Sequence, residues 1–282
     1  MLAPVAKNFD LHCHSTASDG VLTPAALVRR AAANGVGVLA LTDHDDLTGL
    51  AEAQATADEC GVRLVPGVEI SITWGGITIH IVGLGVNPGS EALARGLAYV
   101  RASRARRAER IAAEFDALGM PGTLEGAYSY AANPHLVGRA HFARFLVERD
   151  VARDVKSVFH RYLVAGKPAY VPHEWAGLAD AVAWIRASGG RAVVAHPGRY
   201  RLTRAELRQF FVEFIAAGGE AVEVVTGSHT RAQYVEFAQL ARELGLLASR
   251  GSDFHGPEES EIDLGRLPPL PVDLKPVWHD WA

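Results

Sequence analysis

Cysteine is scarce. Two residues in 282, Cys13 and Cys60, cannot build a disulfide framework, so a reduced, cytoplasmic setting is expected. Long apolar runs are missing as well. No stretch reaches the length of a membrane span, and no membrane partner is expected. The opening residues MLAPVAKNFD lack the apolar core of a secretory signal. No repeat or low-complexity tract interrupts the chain. Lysine is confined to Lys7, Lys156, Lys167 and Lys275. A large excess of positive charge is absent too: the net charge is −4, which argues against a general nucleic-acid coat protein.

What remains is a chain built to bury a core. Hydrophobic residues make up 49% and charged residues 21%, and the length suits one large α/β domain or a barrel with an insertion. Charge is unevenly spread. Between Arg101 and Arg161 stand ten Arg and Lys156 against seven Asp and Glu, a local balance of +4. The rest then carries −8. An acidic body with a basic insert suits cations held in one part and an anionic substrate gripped by the other.

Strand and helix signals alternate. Asn8–Leu11 reads as a strand, and Thr23-Pro24 supplies an N-cap and first-turn proline for a helix to about Ala33. Val38–Leu41 is a buried strand, and a helix follows over about Leu47–Glu59. Val62–Val65 and Val68–Ser71 continue the strands. Ile70–Val82 alternates around Gly75-Gly76, which predicts a hairpin. A long helix over about Glu91–Leu118 opens a stretch poor in strand signals. The rhythm resumes with a helix at Leu178–Ala187 and a strand at Ala192–Ala195. A helix at about Arg204–Ala217 and a strand at Ala221–Val225 follow. Arg231–Leu244 and Leu246–Ser249 complete it, and the proline-rich tail LPPLPVDLKP packs as an irregular strap. The predicted division is a barrel from residues 1–90 and 167–282, with residues 91–166 as a helical insertion capping the substrate.

The polar clusters track the C-terminal ends of the strands: His12/His14, His44, Glu69, His196 and Asp253/His255. In FDLHCHSTASDG, His12 and His14 share one face of a strand while Cys13 points the other way, into a structural role. Asp19, before Gly20, can bend back towards them. A His-x-His pair alone is equally an exposed strand end, but histidines placed at random would not follow strand ends so regularly. Active sites of (β/α) barrels assemble at that end. Imidazoles mixed with carboxylates suit divalent transition metals, and nine such ligands suit two or three ions sharing a bridging carboxylate.

The stretches DLHCHSTASDG, LALTDHDDLTG, VPGVEIS, HIVGLG, VVAHPGR and GSDFH resemble the PHP (polymerase and histidinol phosphatase) family of metal-dependent phosphoesterases, in the family order. The resemblance implies a distorted (β/α)7 TIM-like barrel and three divalent ions. Mn²⁺ is the first expectation, with Fe²⁺ and Zn²⁺ compatible. Carried over by motif, His12, His14, Glu69 and Asp253 would hold one ion. Glu69, His80 and His196 would hold a second, with Glu69 bridging. Asp19, His44 and His255 would hold the third. VGRAHFARFLVERD and AGKPAYVP further resemble the branch of nucleoside 3′,5′-bisphosphate phosphatases and 5′→3′ exonucleases of short RNA.

The implied reaction is hydrolysis of a phosphomonoester by hydroxide generated between two ions. The 3′-phosphate of a nucleoside 3′,5′-bisphosphate is the expected target, and a short RNA the alternative. Expected substrate contacts are Arg101, Arg104 and Arg107, spaced to share one face of the long helix, with Ser103, His135, Arg139 and Lys167. His229 could act as a general acid or be an ordinary loop histidine. Of Asp43, Asp45 and Asp46, one could orient an imidazole while the others are solvated or cap a helix. His141, His160, His173 and His279 are read as ordinary, and no protein partner is required. An amidohydrolase-type barrel also opens with His-x-His but commonly bridges its ions with a carboxylated strand lysine, and no lysine falls on a predicted strand. A silent scaffold of the same family has no need of nine ligands.

Overall fold

The computed structural model describes residues 7–281, and residues 1–6 of the opening stretch lie outside it. Seven strands form one sheet in sequence order: β1 (Phe9–Asp10), β2 (Val38–Leu41), β3 (Arg63–Trp74), β4 (Ile77–Leu84), β5 (Arg191–Val194), β6 (Ala221–Thr226) and β7 (Leu247–Gly251). All neighbours are parallel except β4, which runs antiparallel to both β3 and β5. The Leu11 N–H donates to the Arg250 carbonyl and the His14 N–H to that of Phe254, so the sheet curls into a nearly closed barrel. Buried side chains such as Leu11, Val38, Val65, Val82, Leu84 and Val193 fill its interior. Each contributes about 1.5–3 kcal/mol relative to exposure.

The helices cover this barrel as the pattern predicts. The first, α1 (Pro24–Ala33), is capped by the Thr23 hydroxyl. The second, α2 (Leu50–Cys60), starts three residues later than predicted, because Asp46 accepts from the Thr48 backbone at 2.6 Å and holds that segment as a turn. The two predicted strands around Pro66-Gly67 are one continuous β3, paired along its length with β2 and then β4. Gly75 and Gly76, both at positive φ, make the hairpin turn that starts β4.

Between β4 and β5 lie six helices: α3 (Glu91–Ala102), α4 (Arg104–Ala117), α5 (Thr123–Tyr130), α6 (Arg139–Glu148), α7 (Val155–Val158) and α8 (Leu178–Ala187). The single long helix predicted from Glu91 is two helices broken at Ser103. There the Ser103 hydroxyl donates to the Val100 carbonyl at 2.7 Å, a local bond that competes with the helix ladder. Arg101 therefore sits on a different helix from Arg104 and Arg107. From α4 to α7 these helices pack a core of their own around Ile111, Phe115, Phe142, Leu146, Val158 and Leu163, whereas α3 and α8 pack on the barrel through Leu93, Leu97, Val182 and Ile185. The last two, α9 (Arg204–Ala216) and α10 (Arg231–Leu244), lie where predicted, each with a threonine cap. The tail straps the barrel floor: Val277 donates to the Ala248 carbonyl, and the Trp278 ring stacks on Phe9 at 4.2 Å. Among the described residues, no helix is long and apolar enough to cross a membrane.

Candidate metal centre

One mouth of the barrel gathers all nine proposed ligands. His12 and His14 lie just past β1, His44 past β2, His196 past β5, and Asp253 and His255 past β7. Glu69 and His80 come from the β3–β4 hairpin. Glu69 is the hub. Its Oε1 lies 2.9 Å from His80 Nδ1, 3.0 Å from His196 Nε2 and 3.4 Å from His12 Nε2. Its Oε2 lies 2.9 Å from His44 Nδ1 and 3.3 Å from His14 Nε2. Asp253 Oδ1 sits 3.4 Å from His14 Nε2 and 3.5 Å from His12 Nε2. At the rim, Asp19 approaches His255 at 3.4 Å and His44 at 3.8 Å.

These residues sort into overlapping groups whose ligand atoms lie within 4.8 Å of one another. The groups are His14/Asp19/His44/His255, His12/His14/Asp253, His12/Glu69/His196 and His44/Glu69/His80. This differs in detail from the expected division. His44 reaches Glu69 as well as Asp19, and His12 is shared between two inner groups.

The donor set fits cations. His14 Nδ1, Asp19 Oδ1, His44 Nδ1, Glu69 Oε2, His80 Nδ1, His196 Nδ1 and Asp253 Oδ1 are buried without a hydrogen-bond partner among the described residues. Buried polar atoms are almost always bonded, and each one left unpaired costs about 1–3 kcal/mol. Seven in one cluster need a common partner, and for facing lone pairs that partner is a metal ion.

The electrostatics agree. Burial works against a charged Glu69, yet His80, His44 and His12 hold its carboxyl well below the usual range. Asp19 and Asp253 are also held low against burial, Asp19 by His44 and His255, Asp253 by His12 and His14. Burial drives His196 down to about 3, with Arg199 adding to it.

Two charged side chains went unnoticed in the sequence. Glu223, in the apolar strand β6, is 1% exposed and bonds His12 Nδ1 at 2.7 Å and the His196 N–H at 2.6 Å. Burial raises its carboxyl pKa, opposed by His12. A lone acid inside AVEVVT was the signal available. Arg199, in the quoted motif VVAHPGR, pairs with Asp253 Oδ2 at 2.8 Å and keeps half its side chain exposed.

The three aspartates around His44 are all buried, so none is solvated. Asp43 accepts from the Ser15 N–H and from the Ser15 and Ser18 hydroxyls. Asp45 accepts from the Ser71 N–H and pairs with Arg104. Asp46 caps the following turn and pairs with Arg101 at 3.3 Å. Together they fix the loops carrying His14, His44 and Asp19. Backbone strain gathers here too: Asp45, His196 and Asp253 adopt positive φ. Cys13 is buried, its Sγ 3.1 Å from the Ala40 carbonyl, the structural place expected for it.

The expected substrate contacts divide. Arg101 and Arg104 spend their guanidinium groups on Asp46, the Asp45 carbonyl and Asp45, so they anchor α3 and α4 to the loop after β2. Ser103 bonds Val100 and His173. His135 and Lys167 are exposed and make no ion pair among the described residues. Arg107 and Arg139 are different. Burial, then Arg139 and Arg104, push Arg107 down to about 9. Its guanidinium lies over the Trp175 ring at 5.2 Å, and its Nε has no hydrogen-bond partner. Burial, then the charge of Arg199, lowers Arg139, which among the described residues donates only to the Leu163 carbonyl. Among the described residues neither guanidinium pairs with a carboxylate, a surplus of positive charge in which Arg107 is buried and Arg139 half-buried.

His229 is not placed as a general acid. Its Nε2 accepts from the Gly198 N–H at 2.9 Å, its Nδ1 lies 3.3 Å from the Val224 carbonyl, and its ring stacks on Phe237. Burial drives it down to about 4. A neutral imidazole with both nitrogens bound to backbone braces the loop after His196.

A family model described as PHP domain matches residues 10–163. A 3′,5′-nucleoside bisphosphate phosphatase from Chromobacterium violaceum is 47% identical over 273 residues, 97% of this chain and 96% of its own length. A 5′-3′ exoribonuclease from Haemophilus influenzae is 43% identical over 275 residues, 98% of this chain and 99% of its own. A solved structure described as an amidohydrolase from Chromobacterium violaceum, with bound sulfate and no metal, superposes with a TM-score of 0.93 at 47% identity. It covers 96% of this chain and 94% of that one.

Proposed function

This chain belongs to the PHP-domain family, and from that premise we propose that it is a metal-dependent phosphoesterase acting on nucleoside 3′,5′-bisphosphates. It removes the 3′-phosphate and gives the nucleoside 5′-monophosphate and phosphate. The observation that carries the substrate is the surplus guanidinium charge of Arg107 and Arg139: Arg139 feels Arg199 and Asp19 at the ligand cluster, and Arg107 feels Arg139 and Arg104. A substrate with one phosphate leaves that charge unanswered. A lysine-bridged amidohydrolase centre has no support in this chain: the hub is Glu69, and all four lysines are exposed.

We assign the ligand cluster three divalent ions, with Mn²⁺ as the first expectation; Glu69 would be shared by two of them, and Asp19, His44 and His255 would hold the third. The same nitrogen and oxygen donors serve Fe²⁺ and Zn²⁺. Bound there, such ions supply Lewis-acid charge and a water acidic enough to attack phosphorus at neutral pH. The chain's own residues do the rest. Glu223, Asp43 and Asp45 hold the ligand loops by buried hydrogen bonds. Arg199, half exposed beside Asp253, offers its free edge to the equatorial oxygens of the reacting phosphate. Arg107 and Arg139 grip the remote phosphate with charge-assisted hydrogen bonds. The reaction is assigned to a reducing cytoplasm, in keeping with two free cysteines.

The test is a double comparison of wild type, Arg107→Ala and Arg139→Ala, each with a nucleoside 3′,5′-bisphosphate and with the 3′-monophosphate. Losing one charge-assisted contact costs about 1.5–3 kcal/mol, roughly tenfold to a hundredfold in kcat/KM, and only on the bisphosphate. Arg104→Ala, which frees Asp45, should slow both substrates alike. A wild type indifferent to the second phosphate would overturn the assignment. Faster turnover of a short 5′-phosphorylated RNA would then favour exoribonuclease action.

A further inference from the structure

Of the seven strands, β6 alone brings no candidate ligand to the mouth of the barrel, yet it brings Glu223. We infer that Glu223 is the positioning residue of the metal centre: its one carboxylate sets the ring of His12 and the backbone of His196 as ligands. The inference rests on reading the cluster as a metal centre. An ionised carboxylate is acceptor-only, and both of its oxygens are taken. Oε1 faces His12 Nδ1 at 2.7 Å, and Oε2 accepts the His196 N–H at 2.6 Å. With its proton committed to Nδ1, His12 presents the Nε2 lone pair to the inner cluster. Glu69 Oε1 lies 3.4 Å away and Asp253 Oδ1 3.5 Å away. A metal-ligating histidine characteristically donates its other N–H to such an outer partner, which fixes tautomer and ring orientation.

The second oxygen does a separate job. His196 sits at φ 28°, ψ 58°, a left-handed conformation that a non-glycine residue keeps only when its surroundings impose it. The bond from its N–H to Glu223 is part of that restraint, and in this pose His196 Nε2 lies 3.0 Å from Glu69 Oε1. The His12 and His196 rings stack with centroids 5.7 Å apart. One buried side chain on β6 thus sets ligands that follow β1 and β5. The isosteric amide cannot do this. In Glu223→Gln the NH₂ group must face either the His196 N–H, donor against donor, or His12 Nδ1. The latter moves the His12 proton to Nε2 and blocks that lone pair.

The experiment titrates chelator-stripped wild type and Glu223→Gln with Mn²⁺ by calorimetry. It also records ¹⁵N-histidine NMR spectra of both proteins loaded with Zn²⁺. The variant should bind the inner ions about tenfold to a hundredfold more weakly, while the rim group of His14, Asp19, His44 and His255 keeps its ion. The wild-type spectrum should show His12 protonated at Nδ1 and metal-bound at Nε2, and the variant should lose that signature. Unchanged affinity and stoichiometry in Glu223→Gln would overturn the inference. So would a wild-type His12 carrying its proton on Nε2, a measurement that needs no folded variant. A wild type that binds no divalent ion would overturn the metal centre itself, and this inference with it.

Discussion

Glu69→Gln will lower kcat by two to four orders of magnitude, and metal content will fall with it. Glu69 is fully buried and lies between 2.9 and 3.4 Å from five imidazoles. The amide keeps the shape but removes a negative charge that the whole cluster shares, and it points an NH₂ at nitrogen lone pairs. Removing one partner of a buried charged set costs about 3–5 kcal/mol. At about 1.4 kcal/mol per decade, that is roughly 10²–10⁴ in rate. Asp19→Asn is the matched control, because Asp19 lies at the rim, 17% exposed by side chain, and meets its histidines at 3.4 Å or more. Its loss should be smaller and confined to one ion. Elemental analysis beside kcat decides the matter. A Glu69→Gln protein that keeps both metal and rate has its bridge elsewhere.

Exhaustive chelation will abolish phosphatase activity, and Mn²⁺ will restore it. The basis is the set of seven buried lone-pair atoms with no hydrogen-bond partner around Glu69, Asp19 and Asp253. Ions that bind only the folded chain also stabilise it, by about 2.7 kcal/mol at a hundredfold excess over Kd. Melting temperature should therefore fall on chelation and recover with Mn²⁺, in step with activity. Full turnover in a preparation shown to be metal-free would remove the metal from the chemistry altogether.

Much of the candidate ligand cluster was legible because His12, His14, His44, His196, Asp253 and His255 follow the ends of apolar strands, a place marked by hydrophobic pattern alone. Glu69 and His80 lie within the β3–β4 hairpin, and Asp19 in the loop after β1. Barrel topology then brings together residues as distant as His12 and His255. Partner identity was not legible. Glu223 looks like any acid on a strand until β6 is seen beside β5, with only β7 between it and β1 in the curled sheet. Arg101, Arg104 and Arg107 share a spacing, but a single serine hydroxyl breaks the helix and hands two of them to Asp45 and Asp46. His229 occupies the expected loop, yet its two backbone bonds depend on Gly198 and Val224 and its ring stacking on Phe237, which no local pattern connects.

The chain leaves the sheet after Leu84 and re-enters at Arg191, and these two residues face each other in the β4–β5 pairing. Everything from Gly85 to Gly190 is an excursion whose ends meet at one rung. Loop-closure entropy grows only with the logarithm of length, about 0.6 kcal/mol per doubling. Lengthening or trimming α4 to α7, which pack a core of their own, thus asks little of the strands, whereas α3 and α8 pack on the barrel and have to stay. The arrangement allows the α4–α7 helices to change while the barrel and its candidate ligand cluster stay in place. A laboratory graft between α3 and α8 would exploit the same freedom, provided it restores a partner for Asp45.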